Sequence, residues 1–195
     1  MVIRGVSINR WMTTLTEEIK DDVQRRRDKF RTAIYQYLLQ YSDLLTHAVT
    51  LTFDGDALTR LKMKNPEMKA EVFEEIVQRS FKHFVTRLNR SVYGNAAQRY
   101  GKTLLILPVI EGLQRGQCPH YHCAIAAPLR VSDAQLLESV TECWKSVAFA
   151  GHQVDVQPYR SERWLGYMSK KAVFLDRTSV DWSNVQLPAH LLAHC

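Results

Sequence analysis

Two hydrophobic periods divide the chain into helices and strands. In four segments every third or fourth residue is apolar, which is typical of amphipathic helices. These segments are residues 14–41, 70–91, 133–149 and 161–172. Four shorter segments either alternate apolar with polar residues or are continuously apolar, as strands are. They are residues 47–53, 103–111, 118–127 and 152–158. Residues 57–69 follow neither period and are basic, so we expect a loop or a helix start there.

The strand pair in the middle of the chain suggests the fold class. A short turn containing Gly112 and Gly116 separates strands 103–111 and 118–127, which predicts an antiparallel hairpin. Pro108 lacks a backbone N–H and favours an edge position or a bulge. Together with the helices, this pattern predicts an α+β fold in which helices flank a central antiparallel sheet.

The hairpin also predicts which side chains share a face. If the turn is centred near residue 115, the numbers of paired residues sum to about 231, and Glu111 lies opposite His120. His122 projects to the same side as His120, because alternate residues of a strand share a face. A slip of one residue in this register would move Glu111 to the other side.

Two imidazoles and a carboxylate on one face are a ligand set for a divalent cation, here Mg²⁺ or Mn²⁺. The predicted metal ligands are therefore His120, His122 and Glu111. Cys118 has the same strand parity, which leaves open a zinc site of one cysteine and two histidines. We favour Glu111 over Cys118, because Pro119 should bend the chain out of regular pairing at the cysteine.

The last predicted helix offers a nucleophile. Tyr167 shares a helix face with Arg163 and with Lys170 or Lys171, at spacings of four, three and four residues. Positive charge or a metal ion near a phenol favours the phenolate that attacks phosphorus or carbon. Spacing alone makes Tyr167 a candidate nucleophile, although an amphipathic tyrosine at a helix boundary beside solvated lysines has the same pattern and is more common.

Composition is compatible with a polyanionic partner. The 195 residues carry a formal net charge of +6, with 46% hydrophobic and 24% charged residues, which is typical of a globular protein. The four cysteines show no disulfide spacing, which favours a reducing, cytoplasmic environment. No apolar run is long enough to span a bilayer, so no membrane partner is expected.

Three motifs in order resemble those of the HUH endonuclease superfamily, and in particular single-tyrosine rolling-circle replication initiator (Rep) proteins. The segment Thr50–Phe53 resembles the first motif, a strand at the sheet centre. The segment His120–His122 resembles the second motif, the metal-binding pair of histidines around a hydrophobic residue. The segment Tyr167–Lys170 resembles the third motif, the nucleophile helix. The resemblance implies that Tyr167 is the nucleophile and that Lys170, or Lys171 in its place, is a positive charge near the scissile phosphate or the metal. Glu111 matches a third metal ligand found in some Rep branches.

This resemblance implies a ferredoxin-like or RRM-like core and a nuclease that nicks and joins single-stranded DNA. In the family, tyrosine attacks a phosphate at a replication origin or hairpin and forms a 5′-phosphotyrosine linkage. A host helicase and polymerase would then extend the free 3′-hydroxyl. By the same resemblance, Thr50, Thr52, Arg163 and Lys171 are candidate DNA contacts, and the protein would be cytoplasmic or nucleoid-associated. Arg163 stands where two-tyrosine members carry their other tyrosine.

The apolar period predicts a helical extension at 1–45 packed on the core, which the family pattern does not assign. The motifs indicate a nuclease core at 46–175, followed by a tail at 176–195. We expect one compact domain and no helicase domain. Two alternatives remain open. A single-strand transposase or a relaxase would use the same chemistry, although relaxases place the tyrosine before the histidines. A metal-stabilised nucleic-acid-binding module without catalysis would also suit the basic charge.

Overall fold

The computed structural model describes the backbone of residues 8–113, 117–171, 173–174, 177–178 and 180–192. Side chains are described for residues 17–113, 117–169 and 180–191. None of the helices in this described part of the chain is both long and apolar enough to cross a membrane.

Four antiparallel strands form the central sheet. They are β1 (His47–Phe53), β2 (Leu105–Glu111), β3 (His120–Ala126) and β4 (Ala150–Pro158). Their order in the sheet is β2-β3-β1-β4, so β1 and β3 are central and β2 is an edge strand. The edge position of β2 is the one that Pro108 predicted. The predicted α+β fold with a central antiparallel sheet is confirmed.

Six helices in the first 171 residues accompany the sheet. They are α1 (Ile8–Leu39), α2 (Gly55–Lys64), α3 (Ala70–Tyr93), α4 (Asn95–Tyr100), α5 (Asp133–Lys145) and α6 (Arg163–Lys171). A short helix α7 (Ala189–Leu192), two 3₁₀ turns, Ser42–Leu44 and Trp182–Asn184, and a small ribbon of strands β5 (Val173–Phe174) and β6 (Arg177–Thr178) complete the described elements. Gly94, at a φ of 58°, ends α3.

The expectation of an irregular segment at 57–69 is wrong for its first half, which is helix α2. The physical reason is a side-chain cap. The carboxylate of Asp54 accepts a hydrogen bond from the backbone N–H of Ala57 at 3.0 Å, and this bond satisfies one of the free donors at the helix start. The residues that break strand β1 therefore also begin a helix.

Alternate residues of the strands belong to two separate hydrophobic cores, one on each face of the sheet. On one face, the odd residues of β1 pack with Tyr121 and Ile125 against α3 and α5. Trp144 and Phe81 are among the largest fully buried side chains there. On the other face, the odd residues of β2 pack against α1 and α6, with Leu165 and Met168 fully buried. Helices thus cover both faces, as expected for a two-sided sheet.

The C-terminal segment, predicted as a tail, lies along the outer edge of β2. Isolated antiparallel bridges join Ile106 to Gln186 and Val109 to Val180. Asp181 is 1% exposed and its carboxylate accepts a hydrogen bond from the Tyr121 hydroxyl at 2.7 Å. Burial, followed by the charge of Asp181, raises the pKa of Tyr121 well above its usual value, so this phenol stays a donor.

Candidate functional site

Hairpin β2–β3 brings the three predicted metal ligands together. Glu111 pairs directly with His120, and Val109 pairs with His122, so the predicted register is confirmed. The Oε2 atom of Glu111 lies 3.1 Å from Nε2 of His120 and 3.3 Å from Nε2 of His122. One candidate ligand atom from each residue lies within 4.8 Å of the other two, which makes this cluster a possible divalent-metal triad.

Gly112 lets the hairpin close next to the triad. It has a φ of 83°, which L-residues with a Cβ rarely adopt, and a Cβ at this position would collide with the carbonyl oxygen of Cys118. The same carbonyl oxygen lies 3.3 Å from Nδ1 of His120. A carbonyl oxygen only accepts, so Nδ1 of His120 is the protonated nitrogen in this contact. In neutral His120 this leaves the lone pair on Nε2, the ring nitrogen next to Glu111, where a metal ion could accept it.

His122 is oriented in a similar way from β1. Its Nδ1 lies 3.2 Å from Oγ1 of Thr50, the residue directly opposite on the neighbouring strand. When this hydroxyl accepts from Nδ1, Nε2 of His122 also presents a lone pair towards Glu111. Three electron-pair donors would then converge on one point, an arrangement that a cation between them stabilises.

The spacing of these atoms fits a small divalent cation. Metal–ligand distances near 2.0–2.1 Å place two ligands at right angles about 3.0 Å apart. The two measured separations between Glu111 and the histidines, 3.1 and 3.3 Å, are close to that value. The donor set and its spacing therefore fit the predicted divalent metal.

Cys118 does not join this cluster. Its thiol donates a hydrogen bond to the backbone carbonyl of Phe53 at 3.2 Å. Burial, with a smaller contribution from the Asp54 carboxylate, raises the pKa of the Cys118 thiol and disfavours the thiolate that a zinc ion needs. The geometry supports Glu111 rather than Cys118 as the third ligand.

Helix α6 places Tyr167 over the triad. The Tyr167 hydroxyl lies 3.5 Å from Nε2 of His122, and the two rings meet edge to face with centroids 5.1 Å apart. Leu165 and Met168 anchor the helix in the core, while Tyr167 is 37% exposed. The nucleophile predicted from sequence therefore stands beside the predicted metal ligands and remains open to solvent.

Trp164 is a site residue that the sequence assigned only to the apolar face of this helix. Its ring stacks on that of Tyr167, with centroids 5.5 Å apart and planes at 22°, and meets the edge of His122 at 5.6 Å. A spacing of three residues puts neighbouring helical side chains in contact, so Trp164 with Tyr167 was a usable signal. This tryptophan fixes the orientation of the Tyr167 ring.

The remaining predicted site residues have different surroundings. Thr52 donates its hydroxyl to the backbone carbonyl of Gln153 at 3.0 Å. Arg163 is exposed and lines the cleft between α1 and α6 beside Asp28 and Arg31. Lys170 and Lys171 belong to the backbone of α6, but their side chains lie outside the described residues.

The sheet face that carries the triad is only partly covered. Helices α1 and α6 pack on the β2–β3 half. On the β1–β4 half, Thr50 is half-buried, and Asp155, its partner on β4, is exposed. A groove of about 400 Å³ lies between the end of β4 and the start of α6, with Trp164 in its wall. This half of the face leaves room for an extended ligand beside Tyr167.

No protein-family model matches the chain, and no curated protein or solved structure shows significant similarity to it.

Proposed function

We propose that the protein is an HUH-type single-stranded DNA nicking and joining endonuclease that starts rolling-circle replication. The observation that carries this proposal is the position of the Tyr167 hydroxyl, 3.5 Å from Nε2 of His122 at the edge of the metal triad. A nucleophile, three convergent ligands and an open sheet face are the parts that phosphodiester transfer needs.

Glu111, His120 and His122 would hold the metal, which we propose is Mg²⁺ or Mn²⁺. When bound, a divalent cation supplies Lewis-acid polarisation of a phosphate oxygen and neutralises negative charge there. Thr50 and the carbonyl of Cys118 hold the two imidazoles so that Nε2 is the ligand atom.

Tyr167 performs the covalent step. Its hydroxyl oxygen forms a bond to phosphorus, and the bond from phosphorus to the 3′ oxygen breaks. The phenol loses one proton and the departing 3′ oxygen gains one, so the products are a 5′-phosphotyrosine and a free 3′-hydroxyl. The phosphoester energy is retained in the linkage, and the reverse reaction joins strands without a nucleoside triphosphate. Lys170 or Lys171 would supply positive charge near the phosphate.

The partners in this proposal are single-stranded DNA at an origin or hairpin and a host helicase and polymerase. Two of the candidate DNA contacts, Thr50 and Thr52, make hydrogen-bond contacts within the protein. Thr50 acts through His122, and Thr52 is engaged with the Gln153 carbonyl. Neither contact requires DNA. Arg163 and Lys171 remain candidates for backbone contacts on α6.

The test is trapping of the covalent adduct. Incubated with Mn²⁺ and a pool of single-stranded oligonucleotides, the protein should give a protein–DNA band that survives denaturing electrophoresis. Tyr167→Phe should abolish the band, because the attacking oxygen is gone. Tyr100→Phe removes the hydroxyl of an exposed tyrosine on α4 and should leave the band unchanged.

A second pair of variants tests the metal ligands. His120→Ala should abolish adduct formation, whereas His83→Ala, an exposed histidine on α3, should not. An adduct that persists in Tyr167→Phe would assign the nucleophile elsewhere. DNA binding without an adduct on any oligonucleotide, including the cognate origin, would favour the non-catalytic binding module.

A further inference from the structure

The segment Ile76–Tyr93 of α3 exposes a row of positive charges on the side of the sheet away from the triad. No acidic residue occurs between Ile76 and Tyr93. The buried side of this segment packs on the sheet face opposite the triad, so its outer side points further away. Its exposed cations define the α3 basic face, which consists of Arg79, Lys82, Arg87 and Arg90.

These four cations form no salt bridge within the part of the chain that the structure describes. Among the described residues, none of them has a carboxylate oxygen within 4.0 Å. On α1, by contrast, Arg26 pairs with Asp22 at 2.9 Å. Two acidic residues lie near the α3 basic face. One is Glu75, four residues before Arg79 on α3, and the other is Glu142 of α5, whose carboxylate is paired with Lys145 at 3.0 Å.

An open groove of about 730 Å³ runs between α3 and α5 along this face. Arg87 and Arg90 line it, together with His83, Ser91 and Glu142. Among the described residues, His83 supplies the one ring in the groove, and no phenylalanine, tyrosine or tryptophan forms the row of stacking surfaces that single-stranded nucleic acids use. Its lining therefore suits a phosphate backbone better than unstacked bases.

Three hydroxyl groups of the groove already donate hydrogen bonds within the protein. Ser91 donates to the hydroxyl of Ser139, and Ser146 donates to the carbonyl of Cys143. Thr86 donates to the carbonyl of Lys82. With these groups engaged, charge is the main property that the α3 basic face presents to a ligand.

We propose that the α3 basic face binds the phosphate backbone of double-stranded DNA without reading its sequence. Arg79 and Arg90 are eleven residues apart, which is about 16 Å along a helix axis. Duplex DNA carries one negative charge per about 1.7 Å of its axis, so several phosphates face a row of this length. This binding is independent of the proposed nuclease chemistry, because it uses the opposite side of the molecule.

The experiment measures binding of a blunt-ended DNA duplex by fluorescence anisotropy between about 50 and 200 mM salt. The α3 variant carries Arg79→Gln, Lys82→Gln, Arg87→Gln and Arg90→Gln. The control variant carries Lys20→Gln, Arg25→Gln, Arg26→Gln and Lys29→Gln on the exposed part of α1, which removes the same net charge. Circular dichroism checks that both variants are folded.

The α3 variant should lose most of its salt dependence. Each phosphate contact contributes about 0.9 to the slope of log K against log salt, so four lost contacts reduce it by up to about 3.6. The control should retain most of the slope and bind more tightly than the α3 variant. Both variants should still form the Tyr167 adduct with a short single-stranded oligonucleotide.

An equal loss of duplex affinity in the two variants would show that net charge alone causes binding, and would overturn the proposal. Tighter binding of single-stranded DNA or of duplex RNA to the α3 basic face would overturn it as well. Loss of duplex binding with an intact adduct would support this proposal, whatever the adduct test says of the nuclease. Absence of an adduct in the wild type would contradict only the nuclease proposal.

Discussion

The two faces of the sheet are built from alternate residues of the same four strands, yet they differ in composition. The face against α3 and α5 carries Val49, Leu51 and Tyr121, each 0% exposed. The opposite face carries Thr50, His120 and His122 in the same strands, beside an uncovered region. A strand period of two therefore allows one face to supply stability while the other holds the polar groups of the candidate site.

The apolar face also explains how the two histidine ligands are held in place. His120 and His122 flank Tyr121, whose side chain stacks on Phe81 with ring centroids 3.9 Å apart. Fixing Tyr121 in the apolar core also fixes the backbone between the two imidazoles. Changes on the first face should therefore alter stability, and changes on the second should alter metal binding.

The largest expected effect is on stability. Phe81→Ala should lower the free energy of unfolding by about 3–5 kcal/mol, because it removes a fully buried ring and leaves a cavity. Phe30→Ala, at a side chain 53% exposed on α1, should change it by less than about 0.5 kcal/mol. Urea denaturation measures both. A loss below about 1 kcal/mol for Phe81→Ala would contradict the assignment of this face as the main core.

The next effect is on the metal. Thr50→Val keeps the side-chain shape but removes the oxygen 3.2 Å from Nδ1 of His122. Mn²⁺ affinity, measured by isothermal titration calorimetry, should fall by about 10- to 100-fold. Thr52→Val removes a hydroxyl bonded to a backbone carbonyl instead and serves as the matched control. Equal affinities in the two variants would show that Thr50 does not position the ligand.

The smallest expected effect is on the pH dependence of stability, through Asp54, the residue that caps α2. The hydrogen bond from the Ala57 N–H lowers the pKa of Asp54 below its usual value of 3.8. A folded-state pKa below the unfolded one stabilises the protein above the unfolded pKa, and that contribution is lost as the pH falls through the folded value. Asp54→Asn, which still caps the helix, should remove this dependence.

The measurement for Asp54 is the urea midpoint of wild type and variant from neutral pH down to about pH 3. The two curves should run parallel near neutral pH. The wild type should lose more stability than the variant once the pH falls below the usual value of 3.8. Parallel curves over the whole range would mean that Asp54 does not contribute in its charged form.

Local patterns were sufficient to predict the sheet and the triad. The period of two and the short turn set the register that places Glu111 opposite His120. The sequence could not show that α6 would bring Tyr167 over His122, because that contact depends on how Leu165 and Met168 pack against the sheet. Helix α2 was missed because its capping residue also ends a strand.

The different hydrogen-bond partners of Thr50 and Thr52 could not be predicted from the sequence either. A threonine on a strand can face a ligand, a backbone carbonyl or a neighbouring ring, and strand parity does not distinguish these partners. Thr50 contacts a ring and Thr52 a carbonyl, although both lie on one face of β1. Trp164 contacts His122 only because of the way α6 packs against the sheet.

The segment that borders β2 has a consequence for self-association. β2 is continuously apolar up to Ile110, and an unpaired edge of this kind is a template for adding a strand from another molecule. The bridges to Val180 and Gln186 occupy backbone groups along that edge, and Pro108 accepts from the Asp181 N–H at 3.1 Å. Replacing Asp181, whose buried carboxylate accepts from the Tyr121 hydroxyl and the Asn184 amide, should therefore weaken the attachment of the segment that shields this edge.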